Sequence, residues 1–122
     1  MRETKYWFWH IVCGFVMLFL LGLHMIIMHL DEILGVFKFA GERVLAFENV
    51  ASRSKMIGFA CIYVLLVGAA LYHGLYGLRS MLLELSMIKP LHRLINIGFW
   101  ILGVILFIVG AAGSIIFIIR FG

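Results

Sequence analysis

The chain has 122 residues, 65% of them hydrophobic and 13% charged, with a formal net charge of +4. Water-soluble domains carry about 25% charged residues, so the composition excludes one and points to an all-α membrane protein. The basic side chains lie at the ends of apolar runs rather than in a patch, which argues for membrane-interface anchors and against nucleic-acid binding.

Three apolar runs, about 6–30, 56–83 and 91–119, exceed the ~20 residues that a hydrocarbon core of ~30 Å requires. They predict one three-helix transmembrane domain over 1–122, with tilt or projecting ends taking up the excess length. Arg2 and Lys5 resemble the start of a signal peptide. The run behind them is too long for one and lacks a small-x-small cleavage site, so the first helix is expected to be retained.

The first helix opens on Tyr6, Trp7, Phe8 and Trp9, an aromatic cluster suited to the headgroup level. His10, Cys13 and Gly14 then share a face. His24 follows His10 by fourteen residues and looks out from nearly the same side, whereas His29 lies about 140° further round. Beside Asp31 and Glu32, His29 reads as an interfacial residue, while His24 is well inside the span.

From Asp31 to Lys55 the chain is polar. Ile33, Val36, Phe37, Ala40, Val44, Leu45 and Phe47 fall near helical spacing and predict a short amphipathic element in the membrane interface.

The second span carries LYHGLYGLRSMLLE, from Leu71 to Glu84. His73, Gly77, Ser80 and Glu84 form one narrow stripe, and Arg79 points elsewhere. Ala69, Ala70 and Gly77 leave a flat slot beside the His73 imidazole, the shape a porphyrin needs on its ligand helix. The same residues also suit a histidine that hydrogen-bonds across a close helix contact. Pro90 breaks or restarts the helix, making 86–90 a turn, and His92 and Arg93 suit interfacial anchors. The third span has no charged residue between Arg93 and Arg120, and its glycines with Ala111, Ala112 and Ser114 mark it as a packing helix.

Two intramembrane histidines on two helices, His24 and His73, suggest haem, with iron held by axial imidazoles. Zinc would need further Cys, His or carboxylate ligands near one point, and neither these nor a CxxC pair is visible; Cys13 and Cys61 both lie within spans. Counted from the N-terminal face, His24 lies ~22 Å deep and His73 ~13 Å, which favours two separate haems over one clamped by both.

His73, Gly77, Arg79 and Glu84 form a His-x-x-x-Gly-x-Arg motif with a carboxylate eleven residues after the His, and His10, Cys13 and Gly14 match a His-x-x-Ser-Gly motif. The pair resembles the motifs of the membrane anchors of succinate dehydrogenase and fumarate reductase, in particular the small anchor subunit. The resemblance implies haem b, one or two shared with a partner anchor, with His73 as an axial ligand and His24 in the place of a second. It also implies Arg79 and His10 as contacts to haem propionates or quinone, menaquinone or ubiquinone. Cys13, Ser80 and Glu84 complete the cofactor-binding candidates.

Four departures, Glu84 for Asp, Cys13 for Ser, Ile11 for Arg and no Tyr after Glu84, imply that quinone contacts come mainly from the partner. As a non-catalytic anchor, the chain would join a larger helical bundle with the second membrane anchor subunit, beneath an iron–sulfur subunit and a flavoprotein subunit.

Charge leaves the orientation tied. Asp31, Glu32, Glu42 and Glu48 in the first loop favour a cytoplasmic N-terminus, in a bacterial or archaeal cytoplasmic membrane. Three alternatives stay open: a haem b subunit of another quinone-linked oxidoreductase, a non-haem structural or assembly subunit, and a small ion-coupled transporter using Glu84. The last is disfavoured by three spans without an inverted repeat.

Overall fold

The computed structural model describes residues 2–26, 29, 47–85 and 89–121. They form α1 (Arg2–Met25), α2 (Phe47–Ser54), α3 (Ile57–Leu85) and α4 (Lys89–Phe121), with no strand among them. α1, α3 and α4 are each long and apolar enough to cross a membrane. Helices satisfy this demand because each closes its own backbone hydrogen bonds where no water is available.

The helix ends differ a little from the expected spans. α1 begins at Arg2, ahead of the apolar run, with Glu3 in its first turn, where a carboxylate complements the helix dipole. Pro90 restarts the helix, lying within the first turn of α4 where its missing N–H costs nothing, and residues 86–88 of the turn expected at 86–90 lie outside the described residues. The 33 residues of α4 extend ~50 Å, so the helix tilts in or projects from a ~30 Å core. The amphipathic element expected from Ile33 to Phe47 lies outside the described residues save for Phe47, which opens α2.

α3 is the middle of the fold. α1 and α4 both pack on it and not closely on each other, while α2 touches both α3 and α4. Small residues explain the α3–α4 contact: Gly103 faces Leu75, Gly110 faces Val67, and Gly68 faces Phe107. A Cβ on Gly110 would stand 2.9 Å from Val67 Cγ1, so only glycine permits the spacing seen there.

Ala60 and Ala69, both on α3, are the only fully buried hydrophobic side chains among the described residues. Phe15, Phe19, Trp100 and Ile108 are exposed, Phe19 by 75%. Apolar surface on this scale is stable against lipid or other membrane helices rather than against water.

Candidate functional site at the contact of the first and third helices

The two histidine motifs meet where α1 crosses α3. The imidazoles of His10 and His73 stack with centroids 4.1 Å apart and planes 4° from parallel. Each ring lies against the glycine of the opposite motif. A Cβ on Gly14 would stand 3.0 Å from His73 Cε1, and one on Gly77 would stand 3.3 Å from His10 Cε1. Since i and i+4 share a helix face, each motif presents an imidazole and a notch one turn on, and the antiparallel partner fills it.

His73 Nδ1 lies 2.9 Å from the carbonyl oxygen of His10. A carbonyl only accepts, so Nδ1 carries a proton and donates, and in the neutral tautomer of this ring the lone pair is on Nε2. That carbonyl also accepts the Gly14 N–H within α1, and the bare Gly14 Cα lets the imidazole reach it. An imidazole fixed in this way has the tautomer a metal-bound histidine needs.

His10 differs from His73 in one respect. Its Nδ1 is buried without a hydrogen-bond partner, a state that ordinarily costs ~1–3 kcal/mol. Around the pair, Tyr76 lies 5.3 Å from the His10 ring, Tyr72 stacks on Tyr76, and the Tyr72 hydroxyl donates to the Tyr6 carbonyl oxygen over 3.2 Å.

The remaining candidates are dispersed. The porphyrin-shaped notch at Gly77 is filled by His10, and at 4.1 Å no further ring fits between the two imidazoles. His24, half-buried in the last turn of α1, is ~21 Å along the helix from His10. His29 is exposed. Cys13 and Cys61 are both free thiols on a wide apolar groove. Ser80 donates to the Tyr76 carbonyl oxygen of its own helix at 2.8 Å, and Glu84 is exposed near the end of α3.

Arg79 is turned toward α4 rather than into the imidazole pair. Its Nε donates to Asn96 Oδ1 over 2.6 Å, its guanidinium lies 5.5 Å from the Tyr76 ring centroid, and Glu3 approaches at 3.8 Å. Asn96 escapes a charge-based reading of α4. The signal for it is a lone amide in an apolar span that faces a helix carrying an unmatched arginine.

The residues fit haem on one side only. His73 has the donor chemistry to hold haem iron, and among the described residues no second imidazole is placed to hold the same iron, since the His10 ring stacks directly on His73. Among the described residues no three His, Cys, Asp or Glu side chains converge on a point. No family model, curated protein or solved structure matches the chain.

Proposed function

We propose that this chain is a haem b membrane anchor of the succinate dehydrogenase and fumarate reductase type. The observation that carries this is His73 held by the His10 carbonyl, with Nδ1 protonated and Nε2 left for iron. The interlock of His10 with Gly77 and of His73 with Gly14 adds support, because both resembling motifs take part in one contact.

In this role His73 would hold the haem iron together with a residue of a second anchor chain. His24, too far along α1 to share that iron, is the candidate for another haem. His10 orients His73 through its backbone carbonyl, and the resemblance gives its side chain to a propionate or quinone contact. When bound, haem b would pass single electrons between a docked iron–sulfur subunit and a membrane quinone, menaquinone or ubiquinone. Oxidation of succinate or reduction of fumarate would take place on the flavoprotein subunit.

The deciding experiment is a dithionite-reduced minus oxidised spectrum of the purified complex, with haem extracted and counted per flavin. Two b haems support His24 and His73 at separate centres, and one supports His73 alone. A colourless complex favours the competing reading, a structural subunit whose histidines serve only the helix contact, for which the tight His10–His73 stack is itself an argument.

A further inference from the structure

Arg79 occupies a second polar site, at the junction of α1, α3 and α4. Its side chain is only 15% exposed, in a span where an unpaired cation is costly. Asn96 Oδ1 accepts a hydrogen bond from Nε–H at 2.6 Å. Among the described residues the terminal nitrogens have only Glu3, which is 73% exposed and 3.8 Å away, well beyond the ~2.7–2.9 Å of a charge-assisted hydrogen bond.

Beside this guanidinium is a cavity of about 440 Å³ whose other walls include Tyr6, Phe99, Trp100 and Gly103. It adjoins an apolar groove of about 940 Å³, and Tyr6, Gly68, Tyr72 and Phe107 line both. The combined space is cationic at one end and apolar along the rest.

Arg79 lies six residues, ~9 Å, before the end of α3 and opposite Glu3 near the start of α1, so the cationic end is at the headgroup level of one face. Arg2, Lys5, Lys89 and Arg93 lie toward the same face and add to its positive field. We propose that this cavity binds an anionic phospholipid, its phosphate held by Arg79 and an acyl chain lying along the groove toward Phe107. A phosphate would replace the distant Glu3 as partner of the terminal nitrogens, and the chain would cover the aromatic wall. The proposal gives Arg79 a different partner from the propionate or quinone that the resemblance implies, and it leaves the His73 assignment untouched, because Arg79 is turned toward Asn96 and Glu3.

The test uses the full chain in phosphatidylcholine bilayers containing a minor fraction of phosphatidylglycerol, with native mass spectrometry counting the lipids retained on release. Wild type should retain phosphatidylglycerol in preference to phosphatidylcholine. Arg79→Gln should reduce that retention at least about fivefold, the value of one cation near a membrane surface. Asn96→Asp should do the same by placing a carboxylate on the guanidinium without changing side-chain volume, and it covers the case in which Arg79→Gln fails to fold. Glu3→Gln should raise retention by removing the competing carboxylate. Equal retention of the two lipids, or retention unchanged in Asn96→Asp, overturns the proposal. So does displacement of phosphatidylglycerol by inorganic phosphate alone, which would mark a free-anion site.

Discussion

The His73 imidazole reaches the His10 carbonyl oxygen, 2.9 Å away, only because residue 14 has no side chain. One glycine therefore sets both the α1–α3 spacing and the tautomer of the histidine opposite.

Gly14→Ala should disrupt this contact. Its Cβ would stand 3.0 Å from His73 Cε1 and 3.1 Å from Nδ1, and the ring is already stacked on His10. Overpacking of this kind costs ~1–3 kcal/mol. Gly22→Ala, with nothing within 4 Å, should instead be neutral or stabilise α1 by up to ~1 kcal/mol through helix propensity. In one detergent the unfolding midpoint should fall for Gly14→Ala and hold or rise for Gly22→Ala.

His10→Phe and His73→Ala separate the two imidazoles. The His73 hydrogen bond is to the backbone of residue 10, so His10→Phe leaves it in place and removes a buried nitrogen with no partner. Its b-type absorbance should be retained, with a shifted midpoint potential from the lost propionate contact, while His73→Ala should lose the low-spin signal. An unchanged spectrum in His73→Ala would remove the ligand assignment.

His24→Ala should act on a different centre. At ~21 Å from His10 along α1, His24 shares no contact with the imidazole pair. In a two-haem complex the variant should lose one b-type component and keep the one that depends on His73, as resolved by potentiometric titration. Loss of both together would argue for a shared site.

The three spans were legible because length and apolar content alone decide them, and their ends shifted by only a few residues. The stripe shared by His10 and Gly14, and that shared by His73 and Gly77, follow from helical spacing. That each stripe fills the other does not, because it depends on where α1 and α3 cross, which no single helix encodes. Seen alone, Gly77 beside His73 reads as an open notch, and the His10 ring occupies it. Asn96 was hidden for a related reason: an uncharged side chain among apolar neighbours acquires its meaning from Arg79, on another helix.

Asn96→Leu tests how firmly that cross-helix bond ties α4 to α3. The bond is short, carries a full charge on the donor, and lies where water does not compete freely, all of which strengthen it. Interhelical hydrogen bonds in membranes nonetheless average ~0.6 kcal/mol and reach ~1.7, because the dissociated helices find other partners. A charge-assisted bond belongs near the upper end, so Asn96→Leu should cost ~1–2 kcal/mol. Glu3→Gln should cost less than ~0.5 kcal/mol, since an exposed and distant carboxylate contributes little. Reversible unfolding in mixed micelles checks the order. If Glu3→Gln proved the more damaging, Arg79 would be held mainly by α1, and the helix pairing through Asn96 would be secondary.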